Sequence, residues 1–282
     1  IDFLKYSKIA FVCSWALVIV GVGYGIMRGG DTLGVEFRGG DRLTMSFEKK
    51  VEMGELRKSI NGIGIGDAVI QYEKDISSGI EVLQVTSAFD SGDKVKSTLL
   101  TQFPDSNFEV IAASAVGPLV AQEILMTAFV ATLLALFGIL LYVAFRYEYS
   151  FAIGAVVAVV HDVLMTMGWF CLTGGQFSAP MVAALLTIIG FSINDTIVIF
   201  DRIREDLKLG IRGSFKDVMN FALNQTLSRT IITSGTVFLS TFALYVFGGS
   251  VINDFAFTFL VGIITGTYSS IFIASALVLW WH

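Results

Sequence analysis

Three charged side chains stand in or beside stretches of sequence otherwise apolar enough to cross a membrane. Asp195, next to Asn194, lies in MVAALLTIIGFSINDTIVIF, residues 181–200. A carboxyl at that depth costs about 2.5 to 3.5 kcal/mol on insertion scales, so it is expected to face a bundle interior, to have a partner, and to mark an ion or substrate path. Ser192 and Thr196, one turn apart on a neighbouring stripe, offer hydroxyls for a hydrogen-bonded network. A carboxyl buried among such groups can take and release a proton near neutral pH; the alternative is an ion pair that only fixes helix packing. Asp162 follows His161 and continues a four-residue stripe of small residues, Gly154, Ala158, Asp162 and Thr166, so it should face protein and not lipid. Its proton chemistry competes with a structural role in which a neighbouring Ser, Thr or His satisfies the carboxyl. His161 is expected as a packing or hydrogen-bonding partner. Arg229 heads a series, Thr230, Thr233, Thr236 and Ser240, at three- and four-residue intervals. Arginine cannot release a proton in a protein. At the same depth as Asp195 it would hold that carboxyl ionised in one state and let it protonate when the helices part, or else it snorkels to the interface as an anchor.

Helices must position these groups. The chain is 54% hydrophobic and 15% charged, with mean hydropathy +0.73, against about 25% charged in soluble domains. Six runs are long enough to span a bilayer, at 9–27, 124–145, 151–172, 179–200, 230–247 and 251–281. Lys5 and Lys8 precede the first, but no small-residue cleavage pattern follows it, so it is expected to stay as an anchor. The Lys5/Lys8 end, the Arg146 turn and the connection holding Arg202, Arg204, Lys208, Arg212 and Lys216 alternate with TGGQFSA and GGSVIND, which carry no Lys or Arg. Both termini are therefore expected on the cytoplasmic side. The stretch 28–123 then lies outside; its ten Lys and Arg do not oppose this, because long translocated domains escape the rule. The connection at 201–229 has amphipathic helical spacing and is expected along the membrane surface or on a partner. Gly262, Gly266, Ser270 and Ala274 in the last span keep a small-xxx-small register that signals close helix packing. Cys13 and Cys171 fall within spans and read as apolar fillers, not a disulfide. The net charge of −5 specifies no partner class, and nucleic acid is not expected as one.

The outer stretch alternates strands and amphipathic helices. LGVEFRG and RLTMSFE read as strands broken by Gly39 and Gly40, and VEMGELRKSING as a helix ending at Asn61 and Gly62. DAVIQYE and GIEVLQVTSA follow as strands around a turn at 75–79, then a helix at 92–103 stopped by Pro104, then the strand NFEVIAASAV. The fold class expected is a polytopic α-helical membrane protein of six transmembrane helices with one α+β ferredoxin-like extracytoplasmic domain between the first and second. No metal-ligand cluster, nucleophile–base pair or phosphate loop stands out in this domain, whose expected role is to bind or move against something polymeric.

GVEFRGG after the first span, AVGP before the second, HDV in the third, GFSINDTIVIFDRIRE through the fourth, NQTLSRTIITS into the fifth and GTYSSIFIAS in the sixth together resemble the SecF family, accessory subunits of the bacterial Sec protein-export machinery. The resemblance covers essentially the whole chain. It implies half of an RND-like transporter in the bacterial inner membrane, paired with a homologous SecD subunit. That pair would work beside the SecYEG translocon and use the proton motive force to help draw unfolded preproteins across, with no cofactor and no enzymatic activity. The family's proton-linked carboxyl falls on Asp195, its arginine on Arg229, and its HD motif includes Asp162. Where the family commonly has GxDFxGGT this chain has GVEFRGGD, with Glu36 and Asp41 as the departures. Starting at Ile1 and ending at His282, the chain fits either a trimmed segment or the second half of a fused SecD–SecF polypeptide. Two other readings are half of an RND-type proton-coupled small-molecule exporter, which would need larger outer domains, and a scaffold that only stabilises the translocon.

Overall fold

A computed structural model describes residues 1–282 apart from 75–79, 211–212 and 249, and without the side chains of 31, 250 and 251. The expected turn at 75–79 and Arg212 thus lie outside the described residues. Six helices are long and apolar enough to span: α1 (Ser7–Arg28), α5 (Pro118–Arg146), α6 (Tyr149–Leu172), α7 (Ala179–Lys208), α8 (Phe215–Phe247), and a last one made of α9 (Ser250–Ser269), a π turn (Ser270–Ala274) and α10 (Ser275–Trp281). Between α1 and α5 come α2 (Val35–Arg38), β1 (Gly40–Ser46), α3 (Met53–Gly62), β2 (Val69–Lys74), β3 (Glu81–Ser87), α4 (Gly92–Gln102) and β4 (Glu109–Val116).

The four strands form an antiparallel sheet in the order β2-β3-β1-β4. Period-two burial sends Leu43 and Met45 of β1 and Leu83 of β3 to one face, where they meet Leu56 and Ile60 of α3 and Leu99 of α4 in an apolar core. One expected strand is absent: in LGVEFRG, residues Val35–Arg38 form a single helical turn, with Arg38 N–H donating to Gly34 and Gly39 N–H to Val35. Alternating apolar residues over so short a run fit a strand or a buried turn equally, and the glycines decide. Gly39 and Gly40 have φ of 79° and 140°, and a Cβ on Gly40 would lie 2.4 Å from the Ser87 carbonyl oxygen. Asp41 then accepts from Gly92 N–H at 2.7 Å, placing a carboxylate at the start of α4.

The connection expected at 201–229 is no separate surface helix. Apolar residues continue at helical spacing past the expected span ends at 200 and 230, so α7 runs on to Lys208 and α8 begins at Phe215, behind a capping box in which Ser214 and Asp217 bond reciprocally. Buried Ile203, Met219, Ala222 and Leu223 hold these helix ends in the main core. The bundle centres on α6, α7 and α9, whereas α5 buries only Ala121 and Val143. Helix α1 lies tightly on α6: a Cβ on Gly21 would come 2.6 Å from Gly168 Cα. At the end nearer the sheet, Arg28 donates to the carbonyls of Cys171, Gly174 and Gly175 at 3.0–3.2 Å. There the 173–178 loop is stitched to the segment leading into the sheet, through Gly34 N–H to Phe177 O at 2.8 Å and Phe177 N–H to Thr32 O at 2.6 Å.

Candidate functional site

Both carboxyls are buried in the bundle, in different company. Asp162 of α6 and its neighbour His161 are fully buried, as are Ser192 of α7 and Ser269 of α9. The Ser192 and Ser269 hydroxyls both donate to Asp162 Oδ2, at 2.5 and 2.6 Å. His161 Nδ1 lies 3.0 Å from Asp162 Oδ1, and its Nε2 meets the hydroxyl of Ser14 on α1. The donor count sets the tautomer: with Nδ1–H given to the carboxylate, Nε2 accepts from Ser14. Trp15 packs edge-on to the imidazole, with ring centroids 5.5 Å apart. Four helices meet at this point.

The order Ser14, His161, Asp162 is that of a nucleophile, base and orienting acid. Neither of two described clefts is lined by these residues: one, of about 210 Å³, lies under the sheet edge, and the other, of about 580 Å³, between the sheet's polar face and the helix ends that face it. What the arrangement can do is hold helices in register and carry a proton.

Asp195 of α7 is 3% exposed. Ser234 of α8 donates to its Oδ2 at 3.3 Å, and Thr267 of α9 donates to Ser234 at 2.9 Å. The expected Arg229 contact is not made. Arg229 is exposed and enters no described ion pair with Asp195, although its charge is near enough to act on the carboxyl. The cause is helical phase. Ser234 comes five residues after Arg229, which is about 140° around the helix at roughly 3.6 residues per turn, so turning Ser234 inward turns Arg229 away. The hydroxyl series also differs from expectation: Thr233, Thr236 and Ser240 bond carbonyls of their own helix, and the inward stripe is Thr226, Thr230 and Ser234. Asn194 is exposed, about 100° around α7 from the buried carboxyl. Thr196 is buried but bonds the Ser192 carbonyl at 3.1 Å, and the Ser192 hydroxyl serves Asp162, not Asp195.

The packing glycines bring these elements together. A Cβ on Gly262 would lie 2.2 Å from Ile188, one on Gly266 3.2 Å from Ser192 Cβ, and one on Gly154 3.1 Å from the Ala274 carbonyl oxygen. Close approach at Gly266 is what lets Ser269, one turn on, reach Asp162. Sequence reasoning missed Ser14, Ser234, Thr267 and Ser269. The four-residue spacing of Thr226, Thr230 and Ser234 was a usable signal; a single serine in the apolar first span gave none.

Residues 95–282 match the profile of the family described as "Protein export membrane protein SecD/SecF, C-terminal". The chain is 43% identical to protein translocase subunit SecF of Calditerrivibrio nitroreducens, over 99% of this chain and 93% of that protein. It is 38% identical to SecF of Vibrio alginolyticus, over 99% and 89%. Among solved structures it is similar to SecDF from Thermus thermophilus, described as a translocon-associated membrane protein, with TM-score 0.88 and 38% identity. A SecDF structure in a super-membrane-facing form matches with TM-score 0.72 and 37% identity. Each covers all of this chain, which spans 38% of the length of either SecDF chain.

Proposed function

The chain belongs to the SecD/SecF family of protein-export membrane proteins, and from that premise we propose that it is the SecF-like half of a SecDF-type pair that uses the proton motive force, without a cofactor, to assist preprotein translocation through SecYEG. The observation that carries the reading is Asp195: a carboxyl buried mid-bundle, held by one serine hydroxyl at 3.3 Å and in no described ion pair. Such a group can change protonation at modest cost because few bonds must break.

The exposed face of α8 favours a second half-bundle as partner. The exposed face of α8 carries Arg229, Thr236 and Ser240 among Ile231, Ile232 and Leu239, and a hydroxyl- and guanidinium-bearing stripe is costly against lipid. A SecD-like subunit would cover it and complete the surroundings of Asp195. The family's implied order then applies: proton entry neutralises Asp195, the half-bundles shift, and the domain at 28–123 moves against a preprotein emerging outside. Lys5, Lys8, Arg146, Arg202 and Arg204 cluster at the end of the bundle opposite the sheet, which under the positive-inside rule supports a reading with the sheet domain, of ferredoxin-like strand order, extracytoplasmic and both termini cytoplasmic.

The test is Asp195→Asn in vesicles containing the SecD-like partner and SecYEG. Loss of gradient-stimulated preprotein translocation is expected, with translocation in the absence of a gradient retained. Unchanged stimulation would leave the scaffold reading in its place.

A further inference from the structure

The Asp162 cluster is built more completely than helix packing demands, and it continues to the outer domain. Helix α9 touches both carboxyl sites with residues two apart. Thr267 reaches Asp195 through Ser234, and Ser269 bonds Asp162. Residues two apart point about 200° from one another on a helix, so α9 is wedged between the two sites and any rotation of it acts on both. Immediately after Ser269 the helix widens into the π turn Ser270–Ala274, where the Ser275 hydroxyl bonds the Ser270 carbonyl five residues back. Single π turns supply the local slack that lets one part of a helix turn against the rest. Helix α7 gives a second link, since Ser192 lies one turn from Asp195 and donates to Asp162.

From Asp162 the chain of bonds runs to His161 and then to Ser14 of α1, which is 3% exposed. Among the described residues, the titratable side chains on the packed faces around this pair are Asp195 of α7 and Tyr268 of α9, whose hydroxyl donates to the Ala10 carbonyl at 2.7 Å and ties α9 to α1 directly; Cys13 of α1 is nearby but exposed. Above Ser14, α1 is locked to α6 by the Gly21–Gly168 contact, ends in the Arg28 clamp, and leads straight into the sheet.

We propose that Ser14, His161 and Asp162 form a positioning node that passes the proton occupancy of Asp195, by way of Thr267 and Ser269 of α9, to α1 and so to the outer domain. The proposal rests on the reading of Asp195 as the proton site. It assigns the HD pair a task distinct from proton entry: Asp162 keeps its three donors throughout, and what changes is the angle at which α9 presents them.

The test uses the full chain with its SecD-like partner in liposomes. Spin labels sit at Lys58 of α3 and Leu172 at the outer end of α6, both exposed, with Cys13 and Cys171 replaced by Ala. Acidifying the outside should shift the label distance in the otherwise unsubstituted protein. Ser14→Ala and His161→Gln should lose that shift while Asp195-dependent proton uptake persists, and Ser14→Thr should restore it, which a merely structural contact would not predict. Ser269→Ala breaks the same route from the α9 side and should lose the shift too, so the proposal stays testable if an α1 variant fails to assemble. An undiminished shift in Ser14→Ala, His161→Gln and Ser269→Ala, alongside a lost shift in Asp195→Asn, overturns the node alone. A shift retained in Asp195→Asn overturns the parent reading, and no shift in the unsubstituted protein overturns both.

Discussion

Asp162 and Asp195 lie on adjacent helices of one bundle, both buried, yet one carboxylate accepts from Ser192, Ser269 and His161 at 2.5–3.0 Å and the other accepts from Ser234 at 3.3 Å. The difference separates two uses of an acid in a membrane. Three donors converging on a charge make a joint: the group is costly to disturb and fixes where four helices meet. One long bond beside a helix whose exposed face carries Arg229, Thr236 and Ser240 leaves a site with few partners within this chain, which is what the proposed proton role of Asp195 requires.

The contrast can be broken most directly at its stronger end. Asp162→Ala should cost about 2–5 kcal/mol, because the His161 Nδ1–H and the Ser192 hydroxyl lose their acceptor in a buried site and Ser269 keeps only the Gly266 carbonyl, at about 1–3 kcal/mol for each donor left unpaired. Asp195→Ala should cost under about 1.5 kcal/mol, the scale of one ordinary hydrogen bond. Thermal unfolding of the two variants in detergent measures both, and equal losses would erase the distinction. Next in size, Gly266→Val should destabilise by about 1–3 kcal/mol through overpacking against Ser192. It should also mimic Ser192→Ala in displacing Ser269, which the imidazole resonances of His161 would report. Ser234→Ala should cost about 0.5–1.5 kcal/mol, and it should change proton-coupled translocation more than stability; the reverse ranking would make Ser234 a packing group. Smallest for the isolated chain is Ser240→Leu on the exposed face of α8, expected within about 0.5 kcal/mol. Its effect should appear instead as weakened co-purification with the SecD-like subunit, and unaltered association would mean that another face of the bundle is covered.

Much of this was legible in the sequence because membrane proteins announce their spans by length alone. A run of some 20 apolar residues has few other stable fates, so all six helices were found, and the sheet's helices and four strands followed from clean periodicity with turn residues between. The misread LGVEFRG failed for lack of length. The misread connection at 201–229 failed because charge was taken as a boundary, whereas α7 and α8 continue as helices beyond the apolar runs with Ile203 and Met219 still in the core. At the site, the sequence singled out Asp162, Asp195, Ser192 and the glycines of the last span as groups that must face protein.

Which of them touch was another matter. Periodicity places a residue on a stripe but leaves the helix free to turn about its axis, and a rotation of little more than a third of a turn exchanges Arg229 for Ser234 as the neighbour of Asp195. That angle is set by packing between segments far apart in the chain: Gly262 on Ile188, Gly266 on Ser192, Gly21 on Gly168. The sequence by itself determined that this chain crosses a membrane six times with acids buried inside it. Only the tertiary structure decided that Ser192 serves Asp162, that Ser14 completes the His161 pair, and that Asp195 is left with a single serine, because hydrogen bonds between helices depend on axial rotations that no one segment specifies.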